Sequence, residues 1–231
     1  MHHVVFEDLG RTEYKEAWDY QEALFARLTA TAEIRGSSAG HLLFVEHPHV
    51  YTLGKSGESA NLLVNEDFLK AKGAQFFRIN RGGDITYHGP GQLVGYPILD
   101  LNKLGIGVRQ YVHLLEEVII RVLAGYHIVA SRLEGAAGVW IDPQIPGKVR
   151  KICAIGVRAS KNITMHGFAF NVNTDLSFYN YINPCGFTDK GVSSMQLELG
   201  SVVDFEEVKN KTLQKFSEVF GLRIQAKDEV S

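Results

Sequence analysis

Apolar side chains at Tyr14, Ala17, Trp18, Leu24, Phe25 and Leu28 recur at helical spacing and predict a helix over residues 14–28. The longest apolar stripe, Val108, Tyr111, Val112, Leu115, Val118, Ile119, Val122 and Leu123, predicts a second helix over 108–123. Asp204 followed by Glu207 resembles a capping box and opens a third, with its stripe at Phe205, Val208, Phe216, Val219 and Phe220. Short apolar runs predict strands at Leu42–Val45 and Val50–Leu53, separated by a His47-Pro48-His49 turn. Further strands are expected at Phe76–Ile79, Ile85–Tyr87 and Leu93–Leu99, broken by Gly82-Gly83 and by Gly89-Pro90-Gly91. Four more are expected at 126–130, 137–141, 149–157 and 163–172. Strands outnumber helices and do not strictly alternate with them, so the expected class is α/β (α+β), a mixed sheet flanked by helices. The chain reads as a single domain over 1–231, with a weakly marked boundary after about residue 200.

Composition narrows the setting. With 45% hydrophobic residues in a chain of 231, a substantial core needs no staples. The formal charge of −2 offers no general attraction to nucleic acid or to an anionic membrane. No apolar run is long enough to span a bilayer, and MHHVVFEDLG lacks the apolar region of a signal peptide. Two cysteines, Cys153 and Cys185, are too few for a disulfide framework, so a reduced, cytoplasmic setting is expected.

Four segments carry candidate chemistry. In Gly147–Arg158, strand alternation puts Val149, Lys151, Cys153, Ile155 and Val157 on one face. Lys151 is then the only charge on an apolar face, either desolvated and functional or snorkelling from a strand end. In Ile182-Asn183-Pro184-Cys185-Gly186-Phe187, proline and glycine exclude a helix interior and favour a turn that exposes sulfur. An accessible thiol beside a cation is a nucleophile; Cys153, inside an apolar strand, reads as core. In Arg81–Gln92, paired glycines allow close approach to a ligand, although the segment matches no Walker or dinucleotide fingerprint. His88 there offers a base toward Cys185, a substrate-orienting group, or a turn closure. In Ile163–Asn173, Gly167 and Ala169 share one strand face and leave a groove for an acyl tail or a neighbouring backbone. His41, His47, His49, His88 and His166 lack the spacing of a metal site.

Taken together and in order, these segments resemble the lipoyl(octanoyl) transferase family. Arg81-Gly82-Gly83, Thr86-Tyr87-His88, Gly91-Gln92 and Tyr96 open the signature. Lys151 to Arg158, Thr164 to Asn173 and Asn183-Pro184-Cys185-Gly186 continue it. The resemblance implies the fold of the biotin and lipoate protein ligase catalytic domain. It also implies transfer of an octanoyl group from acyl carrier protein to a lysine of lipoyl domains, in 2-oxoacid dehydrogenases and the glycine-cleavage H protein. Carried over, Cys185 is the acyl-thioester nucleophile and Lys151 lowers its pKa. The acyl-substrate site falls on Arg81, Gly82, Gly83, Asp84, Ile85, Thr86, Tyr87 and His88, on Ala154, Ile155 and Gly156, and on Gly167, Phe168 and Ala169. No cofactor is implied. Backbone amides near Gly82-Gly83 or Gly186 are candidate oxyanion donors. Lys148, Arg150, Arg158 and Lys161 are candidates for holding the acidic carrier. Two other classes stay open: an ATP-dependent lipoate or biotin ligase on the same fold, and a non-catalytic lipoyl-domain-binding protein.

Overall fold

A computed structural model describes residues 2–31, 38–183 and 190–227. Cys185 and its neighbours from 184 to 189 lie outside the described residues. The chain opens with β1 (His3–Arg11), α1 (Tyr14–Thr31), β2 (Ser38–Glu46) and β3 (Val50–Leu53). It continues through α2 (Glu66–Ala71), β4 (Gln75–Arg78), β5 (Ile85–His88), β6 (Gln92–Leu99), α3 (Leu101–Leu104) and α4 (Val108–Ala124). Then come β7 (Ser131–Leu133), β8 (Ala136–Ile141), β9 (Arg150–Ser160) and β10 (Ile163–Asn171). The last elements are β11 (Gly191–Val192), α5 (Met195–Leu199), α6 (Phe205–Phe220) and β12 (Arg223–Ala226).

Most strands form one sheet in the order β12-β1-β2-β6-β10-β9-β8-β7, with β11 added to β9; β4, β3 and β5 form a second, smaller sheet. The pairings β1–β12, β1–β2 and β9–β11 are parallel and the others in the large sheet antiparallel, so the expected mixed sheet is present. β6 and β10 are buried along their whole length, which is why they read as near-continuous apolar runs. Leu93, Phe168 and Phe170 point to the core under α4 and α6, while Val94, Tyr96, Met165 and Ala169 face α1. The α4 stripe behaves as its spacing requires: Tyr111, Leu115, Val118, Ile119, Val122 and Leu123 are all buried in that core. Each such side chain contributes about 1.5–3 kcal/mol of transfer free energy.

Asp204 caps α6 by accepting from the Glu207 amide. Val208 and Phe216 then bury against the same core as α4, so α6 is not set apart after residue 200. The expected strand at 126–130 is absent. There the chain caps α4 instead: His127, at φ +60°, donates to the Ala124 carbonyl and Ile128 to the Leu123 carbonyl. That is a Schellman closure, which uses the amides a strand would need, and pairing resumes only at Ser131. No described helix is long and apolar enough to cross a membrane.

Candidate active site

A cavity of about 410 Å³ lies against the middle of the large sheet, between β9–β10 and the β5 end of the small sheet. β9 supplies Lys151, Ala154, Ile155 and Gly156, and β10 supplies Gly167, Phe168 and Ala169. The Arg-Gly-Gly loop and β5 add Arg81 through Thr86 and His88. Tyr87, grouped with them by the resemblance, is not on this wall. Its hydroxyl is hydrogen-bonded to His49 Nδ1 at 2.7 Å and its ring stacks on Phe178 at 5.1 Å, in the satellite core of the small sheet. Strand alternation along β5 is the reason: Thr86 and His88 face one way and Tyr87 the other.

The register of β9 corrects the face on which Lys151 lies. Trp140 pairs with Lys151 and Val139 with Cys153, so β9 carries one residue more than β8 at this point. The bulge sends both Ile152 and Cys153 into the α4 core and leaves Lys151 on the cavity side with Ala154. Lys151 therefore does not share its face with Cys153. Its Nζ lies 4.6 Å from the Trp140 ring centroid, a cation–π distance. Trp140 itself is fixed by a 2.9 Å bond from its Nε1 to the Ala136 carbonyl. Gly138, at φ +127°, lets the Cys153 carbonyl approach, since a Cβ there would meet that oxygen at 2.5 Å, and the lysine stem passes beside it, with Lys151 Cε 3.4 Å from the same point. Cys153 is fully buried, and burial pushes its thiol far above the ordinary range, with Lys151 acting in the opposite sense.

Farther along β9 from Lys151, the cavity is walled by the Arg-Gly-Gly loop. Gly82 donates to the Val157 carbonyl at 2.9 Å, so this amide is spent on β9 and is not an oxyanion donor. Gly156 permits the docking, since a Cβ would stand 3.0 Å from the Gly82 carbonyl oxygen and 3.1 Å from Arg81 Cδ. The buried Arg81 guanidinium straps the loop to β3, donating from Nη2 to the Thr52 carbonyl at 2.7 Å and to Thr52 Oγ1 at 3.0 Å.

Three buried histidines surround this end, and hydrogen bonds settle their protons. Gln92 Nε2 donates to Asn171 Oδ1 at 2.9 Å, so Gln92 Oε1 is the acceptor for His88 Nδ1–H at 2.8 Å. The His88 Nε2 lone pair faces Thr52 Oγ1 at 3.5 Å. Burial first, then the neighbouring His47, holds His88 down to about 3, which makes it a poor base at neutral pH. His47 bonds the Thr12 carbonyl through Nδ1 and Tyr96 Oη through Nε2, and burial lowers it to about 4. His166 bonds Asn80 Oδ1 through Nε2, and burial together with Arg81 lowers it to about 3. All three are neutral in the fold and protonate more readily when unfolded. Stability should therefore be complete above pH 6.5 and fall as pH drops from there toward 3–4. The slope should reach a few kcal/mol per pH unit for the three together. Urea midpoints between pH 7 and pH 5 check this; a midpoint unchanged over that interval contradicts it.

The chain that follows residues 184–189 is tied to Lys151. β11 pairs in parallel with β9, Gly191 opposite Arg150 and Val192 opposite Lys151, and Ser193 donates to the Lys151 carbonyl at 2.9 Å. Lys190, Gly191 and Val192 line the cavity beside Lys151. Of the four cations considered for a carrier, two are engaged within the fold. Arg150 forms a bidentate pair with Glu198 at 2.6 Å and also holds Asp142; Arg158 pairs with Glu22 at 3.1 Å. Lys148 and Lys161 are exposed. Sequence reasoning overlooked Tyr14, Trp140 and Asn171 on the wall. Nothing local marks Tyr14, whose helix buries an ordinary apolar stripe. Trp140 carried a usable signal, a large aromatic two residues after a glycine in a short strand.

Residues 13–217 match the lipoyl protein ligase A/B catalytic domain. The chain is 53% identical over 216 residues to an octanoyltransferase of Parabacteroides distasonis, covering 94% of this chain and 98% of that one. It is 56% identical over 198 residues to an octanoyltransferase of Bacteroides fragilis, covering 86% and 89%. Its fold is that of a bi-partite lipoate protein ligase from Thermoplasma acidophilum, with a TM-score of 0.69, 18% identity and coverage of 100% and 90%. A biotin protein ligase from Aquifex aeolicus is more distant, with a TM-score of 0.50, 15% identity and coverage of 95% and 69%.

Proposed function

Because the chain belongs to the lipoyl protein ligase A/B catalytic-domain family and is an octanoyltransferase by its relatives, we propose that it carries the octanoyl group on Cys185, taking it from acyl carrier protein and passing it to a lipoyl-domain lysine. One observation carries this reading. β11, which follows the Cys185 segment, pairs directly on Lys151 at the wall of an acyl-sized cavity.

The chemistry needs only a thiolate, a cation that can lose a proton, and a dry slot. Lys151 as ammonium favours the Cys185 thiolate, which attacks the carrier thioester. Collapse of the tetrahedral intermediate forms the Cys185 thioester and expels the carrier thiolate, which takes a proton from Lys151. Neutral Lys151 then removes a proton from the incoming lysine ammonium. The free amine attacks, the second proton of its nitrogen passes to solvent as the amide forms, and the Cys185 thiolate leaves beside the Lys151 ammonium that the first proton restored. One thioester is exchanged for another and then becomes an amide, so no external energy source enters.

The lining residues suit an extended acyl chain in reach. The Lys151 stem reaches Gly138, which pairs with Ala154, and the slot continues to Gly156, Val157 and the Arg-Gly-Gly loop. Three strand residues cover roughly 10 Å. The seven C–C bonds of an extended octanoyl chain span about 8 Å, by the same reach that gives the backbone its advance per residue.

The ligase reading is separated by its donor. Octanoyl-carrier protein should modify an apo-lipoyl domain in ATP-free buffer, while free octanoate with ATP and magnesium should not, as read by intact mass. Modification only in the second mixture would make the protein a ligase and Cys185 a bystander.

A further inference from the structure

Glu116 lies within the buried face of α4, one turn from Val112 and Ile119, and is only 7% exposed. A carboxylate at that depth persists only where partners replace its water. Both oxygens have them. Oε1 accepts from the Gly138 N–H at 3.0 Å, and Oε2 accepts from Arg132 Nε at 3.0 Å. Arg132 also donates from Nη2 to the His113 carbonyl at 2.9 Å and to Glu117 Oε2 at 2.8 Å, which laces β7 to α4. The two partners of Glu116 flank the place where β7 and β8 fall out of register. Between the Ser131–Trp140 and Leu133–Ala136 pairings, β7 has only Arg132 while β8 has Ala137, Gly138 and Val139. The carboxylate takes up the Gly138 amide in that gap. The other edge of β8 meets the second irregularity, the β9 bulge at Ile152 that leaves Lys151 on the cavity side. Gly138 and Trp140 stand between the two. Lys151 Nζ lies 4.6 Å from the Trp140 ring centroid, and Lys151 Cε lies 3.4 Å from the Cβ position of Gly138.

We propose that Glu116 is a positioning residue for Lys151. By joining Gly138 to Arg132 across the gap in the β7–β8 ladder, it fixes the stretch of β8 against which the lysine is set, the Gly138 backbone and the Trp140 ring. Trp140 lines the cavity and Glu116 does not, so Glu116 acts through β8 rather than on the substrate. The inference rests on Lys151 acting in the transfer. A glutamine of the same shape loses the charge that faces Arg132 and has one carbonyl oxygen for two donors. Either the buried Gly138 amide or the Arg132 guanidinium then meets an NH2 group, and β8 must shift to relieve it. Misplacing a reacting group by on the order of 1 Å costs up to about 100-fold in rate.

Trp18 and Trp140 are the two tryptophans of the chain, so in a Trp18→Phe background the fluorescence reports Trp140 and the cation above its ring. In that background Glu116→Gln, Arg132→Met and Lys151→Met are compared with the parent by Trp140 emission, by the kinetics of octanoyl transfer and by thermal midpoint. Folding is checked by far-ultraviolet circular dichroism. Lys151→Met supplies the emission of the ring with no cation over it. Folded Glu116→Gln should move most of the way toward that emission. Its turnover number should fall about 10–100-fold with a smaller change in KM for the carrier. Arg132→Met removes one of the two donors at a partly exposed position, so a few-fold fall and a partial emission change in the same direction are expected even if Glu116→Gln does not fold. A purely structural Glu116 would lower the thermal midpoint and leave emission and turnover number at the parent values. That result in folded Glu116→Gln, or in Arg132→Met where the former is unfolded, overturns the inference. An emission change without a fall in turnover number overturns it too. If Lys151→Met keeps the parent turnover number, the proposed role of Lys151 is itself wrong and both fall. If Lys151→Met loses turnover and Glu116→Gln does not, only the role of Glu116 is lost.

Discussion

Cys185→Ala is expected to abolish the octanoyl adduct and to lower transfer by at least about 10⁴-fold, the scale on which loss of a covalent nucleophile is felt. Incubation of the wild-type protein with octanoyl-carrier protein should add one octanoyl mass that hydroxylamine removes, as it cleaves a thioester. The competing thiol is Cys153, and its surroundings argue against it. It is fully buried in the core under α4, its Sγ faces the Ala154 carbonyl at 3.6 Å, and burial disfavours its thiolate. The β9 bulge also turns it away from the cavity that Lys151 lines. Cys153→Ala should therefore keep most of the adduct and most of the turnover, with a modest loss of stability from the small cavity it leaves. An adduct that survives Cys185→Ala and disappears with Cys153→Ala would reverse the assignment.

Lys151→Met should lower transfer by about 10²–10⁴-fold, the range for a positioned proton-transfer group, and should raise the pH midpoint of Cys185 alkylation. Methionine retains an apolar stem that can pack beside Gly138 and Trp140, so the loss reports charge and proton rather than packing. Lys151→Arg divides the two roles. Its guanidinium can still lie over the Trp140 ring and keep the thiolate stable, but it does not give up a proton. Acylation of Cys185 should then persist while delivery to the lipoyl lysine slows, so the acyl-enzyme should accumulate. Wild-type alkylation kinetics in Lys151→Met would remove the pair from the mechanism. His88 is a poor substitute, because its lone-pair nitrogen faces Thr52 and burial keeps it unprotonated and weakly basic.

Periodicity determined much of the architecture. The α4 stripe and the mostly apolar runs of β6 and β10 report burial directly, since each depends on which side chains can leave water together, and the Asp204 cap marks the start of α6 by a local hydrogen bond. The motif segments around Arg81, Lys151 and Gly167 were legible too, because glycines and lone charges stand out against apolar strands. They do come together on one cavity. Other features needed the tertiary structure. β1 and β12 pair in parallel although one opens and the other closes the described chain, and no local pattern encodes a partner so remote. Strict alternation placed Lys151 with Cys153, and a bulge set by the register against β8 separated them. Tyr14 came to the cavity from a helix whose own pattern records only its apolar stripe. Asn171 looked like an ordinary strand end until its amide met Gln92, Tyr179 and Ser193. Hydrophobic pattern is a property of each side chain toward water and is written locally, whereas register and hydrogen-bond partnership are properties of pairs and exist only once the strands have met.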